Sequence, residues 1–254
     1  MWPYPKIIAH RGGGALAPEN TLAAIRCGLS HGFHAIEIDV MLSADGMPIV
    51  MHDPCFGRTV TGIGNVSDST MQELTAMDAG AWFSRAFAGE LVPTYEQVQR
   101  FCSENKIWMN VEIKPVPGFD RQTGQAVAKL TRHLFEQEIA SHIPGVNDNA
   151  LPLFSSFSFE ALLAARSAAP EIPRGYLVDV IPDDWHQRLL ALDAIALHAN
   201  HKHLSAEQAR AVKKTGAGLL CYTVNEPSRA KEILAWGVDA FCTDRIDLIG
   251  PDFC

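Results

Sequence analysis

The segment 205-SAEQARAVKKTGAGLLCYTVNEPSRAKEILAWGVDAFCTD-244 decides the fold. It reads as two helix–strand units in succession. Ser205 is an N-cap, and Gly216 stops the helix it starts. The apolar run GLLCYTV (218–224) follows as a strand. EPSRAKEILAWG then carries Pro227 in its first turn and Gly237 at its end, the expected asymmetry of a helix. DAFCTD (239–244) is the next strand. Strands joined through helices lie parallel.

The same unit recurs toward the N-terminus. Strand-like runs occur at KIIAH (6–10), AIEIDV (35–40), WMNVEIK (108–114), LPLFSSF (151–157), RGYLVD (174–179) and AIALH (194–198). SFEALLAARSAAP is a helix with a Ser N-cap and a Pro stop. Leu22, Ile25 and Leu29 share one helical face, with Asn20 or Thr21 as N-cap and Gly32 as the stop. Eight such strands in 254 residues predict a closed TIM-like (β/α)8 barrel rather than an open sheet.

The alternation breaks between residues 41 and 107. AIEIDVMLSADGMPIVMHD (35–53) reads as two strands joined at Asp45-Gly46, a favoured two-residue turn. That turn sets Ala44 opposite Met47 and therefore Asp39 opposite His52. Residues 54–92 follow without a barrel repeat and are expected as a small insertion over the barrel mouth. TYEQVQRFCSEN (94–105) resumes the barrel as a helix. The chain is thus expected to be one domain, residues 1–254, with a hairpin and an insertion at its mouth.

The net charge is −8, and no Lys/Arg run appears. This excludes a general nucleic-acid binder and an anionic-membrane binder. MWPYPK does not begin a signal peptide, and no window is apolar enough to span a membrane. The six cysteines form no CxxC pair and read as reduced thiols, which points to the cytoplasm. Cys221 and Cys242 are expected in the core.

Charged residues at the ends of the predicted strands mark the chemistry, because a barrel's active site forms there. Glu37 and Asp39 are two apart and share one side of their strand. Glu112 repeats the pattern, with Lys114 two residues on. Three converging carboxylates suit a hard divalent cation, Mg²⁺ or Ca²⁺. His10 and His52 exchange protons near neutral pH and suggest a general acid and a general base. Arg11, followed by Gly12–Gly14, suits a phosphate, through its forked guanidinium and through close-approaching backbone amides. Ser155, Tyr222 and Asn225 are further candidates for binding a small polyol. His198, His201 and His203 read as a solvated loop, with His198 a candidate for the mouth. Trp236 reads as helix packing. Trp82 and Trp185 are candidate pocket walls.

AHRGGGALAPENT, EIDVMLSADGMPIVMHD, NVEIKP, SSF, YTVN and GVDAFCTD occur in this order. Together they resemble the signature set of the glycerophosphodiester phosphodiesterases, and nearest among them the cytoplasmic bacterial enzymes linked to glycerol-phosphate uptake. The resemblance spans about residues 4–253. It implies a TIM-like barrel that hydrolyses glycerophosphodiesters, small-molecule substrates, to glycerol 3-phosphate and an alcohol. It implies a divalent cation on Glu37, Asp39 and Glu112, catalytic histidines at His10 and His52, and phosphate-binding cations at Arg11 and Lys114. Many relatives carry Trp at the place of Tyr222. A barrel acting on intact lipids would need an apolar or basic rim. A non-catalytic binder would have lost a histidine or a carboxylate, and this chain keeps all of them.

Overall fold

The structure, a computed structural model, describes residues 2–254. Nine strands form: β1 (Ile7–Ala9), β2 (Ala35–Leu42), β3 (Pro48–Val50), β4 (Trp108–Ile113), β5 (Leu153–Ser156), β6 (Arg174–Val178), β7 (Ala196–Asn200), β8 (Gly218–Tyr222) and β9 (Ala240–Thr243). Eight of them, all but β3, are parallel and follow the order β1-β9-β8-β7-β6-β5-β4-β2. A β1–β2 pairing at Ala9 and Ile36 closes the ring. The predicted barrel is therefore present. The seventh strand lies two residues later than AIALH suggested.

The helices are α1 (Leu22–Ser30), α2 (Met71–Leu74), α3 (Tyr95–Glu104), α4 (Asp120–Leu134) and α5 (Glu136–Ala140) in the first half. In the second half come α6 (Phe159–Ala168), α7 (Trp185–Leu192), α8 (Ala206–Lys214) and α9 (Pro227–Ala235). Thr21, Thr94, Ser158 and Ser205 each accept a first-turn N–H and start α1, α3, α6 and α8. Thr21, not Asn20, is the cap of α1.

Strand residues alternate between two apolar clusters. Ile36, Ile38 and Val40 face outward and pack with the helices. Ile8, Ala35, Trp108, Leu153, Leu220, Ala240 and Cys242 fill the barrel interior. Tyr4 stacks on Trp108 at 4.6 Å and closes that cluster at the N-terminal end of the barrel. Register then places the carboxylates. Asp39 pairs with Glu112, Glu112 with Ser155, and Glu37 with Asn110. The same alternation that buries Ala35 inside carries Glu37 and Asp39 up the inner wall toward the mouth.

The hairpin register differs from the expectation by one residue. Val40 pairs with Val50 and Leu42 with Pro48, so Asp39 lies opposite Met51 rather than His52. The loop has three residues, Ala44-Asp45-Gly46, because Gly46 adopts φ +75° and extends the turn. Ser43 holds this loop: its Oγ donates to Asp45 Oδ1 at 2.6 Å and accepts the Met47 N–H at 3.0 Å. His52 still reaches the site, because β3 ends at Val50 and the chain bends there.

Residues 54–92 carry no barrel strand. They contain α2 and two short 3-10 turns at Val66–Asp68 and Arg85–Phe87. Val60, Val66, Leu74, Ala79 and Val92 pack against Met41, Ile49 and Met51, on the hairpin face that continues the Glu37–Asp39 side of β2.

Candidate active site

Glu37, Asp39 and Glu112 each present a carboxylate oxygen, and these atoms lie within 4.8 Å of one another. All three residues are at least nine-tenths buried. Asp39 is the best compensated. It accepts Asn20 Nδ2 at 2.8 Å, and Lys114 Nζ (3.3 Å) and Arg11 Nε (3.4 Å) stand beside it. Burial would raise its pKa, but Lys114 and Arg11 hold it below the usual carboxylate range. Glu37 and Glu112 go the other way. Burial, with the Asp39 charge adding to it, lifts both well above an ordinary glutamate. Glu37 Oε1 is buried without a hydrogen-bond partner. This centre is short of positive charge. A hard cation bound through oxygen fits the donor set and the orphaned atom.

The two histidines flank the cluster. His10 follows β1, and its Nε2 lies 3.8 Å from Glu37. Its Nδ1 meets Asp244 Oδ1 at 2.6 Å. Burial depresses the imidazole, but the Asp244 hydrogen bond and Glu37 outweigh it and raise its pKa. His52 Nδ1 meets Asp53 Oδ1 at 2.6 Å. Burial lowers its pKa, Asp39 opposes this, and Arg11 and Lys114 reinforce it, leaving it below an ordinary histidine. Each ring is thus anchored by a carboxylate through Nδ1, which leaves Nε2 as the working atom.

Arg11 sits at φ +50°, and its N–H donates to Glu37 Oε2 at 3.1 Å. Its Nη1 donates to Glu19 at 2.7 Å. Two of the three glycine amides, those of Gly12 and Gly14, are spent on nearby carbonyls. The Gly14 and Ala15 amides bond His10 and Asp244 carbonyls at 2.9 and 2.8 Å. A Cβ on Gly14 would stand 2.2 Å from the Asp244 carbonyl oxygen. The glycines let this loop pack against α1 and β9, and the guanidinium remains as the anion-facing group.

The three polyol candidates have these surroundings within the protein. Asn225 is spent on Asp244, donating to its Oδ2 at 2.9 Å and accepting its N–H at 2.8 Å. Ser155 is fully buried beside Glu112 with an unpartnered Oγ, below the mouth. The Tyr222 hydroxyl donates to the Val178 carbonyl at 2.9 Å, and its ring meets Phe157 edge-on. Trp185 packs on the outer core, and the Trp82 indole N–H donates to the Ala79 carbonyl within the insertion. Trp236 packs beneath Arg229, as helix packing predicted.

His198 is buried inside the barrel, where its ring occupies the space that a Cβ on Gly175 would need. Neither ring nitrogen has a partner, and burial pushes its pKa down to about 3. An unfolded histidine titrates near 6.5, so the unfolded chain binds the extra proton first. The contribution of this group to stability is complete above about pH 6.5 and is lost as pH falls toward 3. His198→Gln should therefore remove about 3 kcal/mol of the stability lost between about pH 7 and pH 4.5. Urea unfolding at the two pH values measures this; an unchanged difference would refute it.

Asp244, Asp53, Glu19, Asn20 and Arg58 join the site without having been singled out in the sequence. Four of them lie inside the quoted motifs, and Arg58 lies five residues after Asp53.

The chain is similar to known proteins over nearly its whole length. A glycerophosphodiester phosphodiesterase from Caldanaerobacter subterraneus subsp. tengcongensis is 31% identical, over 94% of this chain and 93% of that protein. A putative glycerophosphodiester phosphodiesterase of Bacillus subtilis is 32% identical, with 97% of each covered. Among solved structures, an Oleispira antarctica phosphodiesterase in complex with the product sn-glycerol-3-phosphate superposes with a TM-score of 0.84. It is 36% identical, over 95% of this chain and 93% of that one. The glycerophosphodiester phosphodiesterase of Agrobacterium tumefaciens gives 0.78 at 30% identity, over 96% and 98%. The glycerophosphoryl diester phosphodiesterase family pattern itself matches residues 10–248, from the first candidate histidine to just past β9. With the barrel and the order of the motifs in agreement, the chain belongs to the glycerophosphoryl diester phosphodiesterase family.

Proposed function

We propose that this chain hydrolyses glycerophosphodiesters to glycerol 3-phosphate and an alcohol, with His10 and His52 as the acid–base pair. One divalent cation, Mg²⁺ or Ca²⁺, is held by Glu37, Asp39 and Glu112. The observation that carries this reading is two carboxylate-anchored histidines flanking a buried cluster of three carboxylates. When bound, the cation supplies Lewis-acid stabilisation of charge developing on the phosphoryl oxygens. Arg11 and Lys114 add fixed positive charge on the same side and orient the phosphate. Asp244 and Asp53 hold the His10 and His52 rings so that each presents Nε2. One ring takes the proton of the attacking hydroxyl, and the other protonates the departing alkoxide. No helix among the described residues is long and apolar enough to cross a membrane. The free cysteines favour a reducing cytoplasmic setting for this activity.

The substrate end that matters in this reading is the glycerol phosphate. The fixed cations, Arg11 and Lys114, address the phosphate, and the residues just past β5 and β6, Phe157, Asp179 and Val180, are exposed to solvent, where a charge on the alcohol is read only weakly. Glycerophosphocholine, glycerophosphoethanolamine and glycerophosphoglycerol should then give kcat/KM values within about tenfold, ~1.4 kcal/mol, of one another in Mg²⁺ or Ca²⁺. A preference of about a hundredfold for one would overturn the loosely read alcohol. An analogue lacking the glycerol 2-hydroxyl tests the nucleophile: inactivity identifies that hydroxyl, and full activity identifies water.

A further inference from the structure

Arg58 lies outside the barrel, in the segment that follows the hairpin. Its loop is tightly built. The Gly57 N–H bonds the Val60 carbonyl at 2.7 Å, and the Phe56 N–H bonds the Gly64 carbonyl at 2.9 Å. Cys55 pairs with Asn65, and buried Val60 roots the loop in the small cluster beneath. The guanidinium projects back over the mouth. Its Nε donates to Asp53 Oδ2 at 2.5 Å, and Nη1 and Nη2 donate to the two oxygens of Glu19 at 2.7 Å each.

Those two carboxylates each hold one of the working groups, His52 and Arg11. Asp53 uses its other oxygen on His52 Nδ1 at 2.6 Å. Glu19 shares Oε1 with Arg11 Nη1 at 2.7 Å. A continuous chain His52–Asp53–Arg58–Glu19–Arg11 thus joins the hairpin side of the site to the β1 side. Without Arg58, Asp53 and Glu19 would lose their shared cation, and Asp53 would be free to turn away from the imidazole.

We propose that Arg58 is a positioning residue, which fixes His52 through Asp53 and Arg11 through Glu19 without itself touching the carboxylate cluster. The assignment rests on the phosphodiesterase reading of the site. A planar fork suits the task because one group must meet two carboxylates in different directions. Close partners that set the orientation of a working group matter because small misplacements are costly in rate. Arg58 is itself 44% exposed, and ion pairs this open add little to stability. Positioning and mere stabilisation therefore separate experimentally.

The test compares wild type, Arg58→Ala and Arg58→Lys on glycerophosphoglycerol with Mg²⁺. For Arg58→Ala, kcat should fall about tenfold to a hundredfold. The thermal midpoint and the Mg²⁺ affinity by calorimetry should stay at the wild-type values. Arg58→Lys should recover only part of the rate, because an ammonium cannot fork across Asp53 and Glu19. Guanidinium ion at a sub-denaturing concentration should raise kcat of Arg58→Ala and leave wild type unchanged. Wild-type kcat in Arg58→Ala would overturn the proposal, as would a loss that follows the thermal midpoint and resists guanidinium. A wild-type enzyme inactive on glycerophosphodiesters would overturn the phosphodiesterase reading itself, and the proposal with it.

Discussion

His10→Ala and His52→Ala are each expected to lower kcat by roughly 10²–10⁴-fold while leaving divalent-cation binding intact. A phosphodiester does not release its alkoxide at neutral pH unless a proton arrives, and the attacking hydroxyl must lose one. The two rings stand on different flanks of the carboxylate cluster, His10 by Glu37 and His52 within the field of Asp39. Neither ring is a member of the three-carboxylate group, so its removal leaves that group whole. The loss should appear in kcat more than in KM, because proton transfer is an interaction of the transition state. If the rings act in one concerted displacement, the double variant should be little slower than the worse single one. Steady-state rates paired with Mg²⁺ calorimetry decide the matter. Either variant turning over at close to the wild-type rate would remove that histidine from the chemistry.

The fold was legible because its signals are local. Thr94, Ser158 and Ser205 cap helices within a few residues of where each cap acts, and Pro227 opens α9 in the same way. The hairpin register was not legible from Asp45-Gly46 alone. The same dipeptide closes a two-residue turn or ends a three-residue one, and the Ser43 side chain selects the second. Glu37, Asp39 and Glu112 could be read in the sequence because a spacing of two fixes a shared strand face. Their partners could not. His10 and Asp244 are 234 positions apart, and only the closure of β1 against β9 brings them together. Asn225 and the glycine loop show a further limit. Residue type reveals what a group can bond, but the fold has already used that capacity, for Asn225 on Asp244 and for the Gly14 amide on the His10 carbonyl.

Glu112→Gln should lower kcat by roughly 10²–10³-fold in the presence of Mg²⁺, the several kcal/mol expected of a weakened Lewis acid. Its effect on stability should run in the opposite direction. In the cation-free protein, burial and the Asp39 charge raise the Glu37 and Glu112 pKa values above the usual 4.5. The stability linked to such groups is complete below about pH 4.5 and is lost as pH rises through their folded values. Removing one of these acids relieves the crowding. Cation-free Glu112→Gln should therefore melt at or above the cation-free wild type near neutral pH. A cation that binds the folded state stabilises it by about 2.7 kcal/mol at a hundred times its Kd. Binding also displaces the protons held at the raised sites, so the gain should be larger at about pH 8 than at about pH 6. Glu112→Gln should show a smaller gain and a weaker pH dependence, because one displaced proton and one charged ligand are gone. Thermal melts of both proteins with Mg²⁺ and with chelator, at the two pH values, measure all three expectations together. Wild-type cation affinity and turnover in Glu112→Gln would remove Glu112 from the cation site.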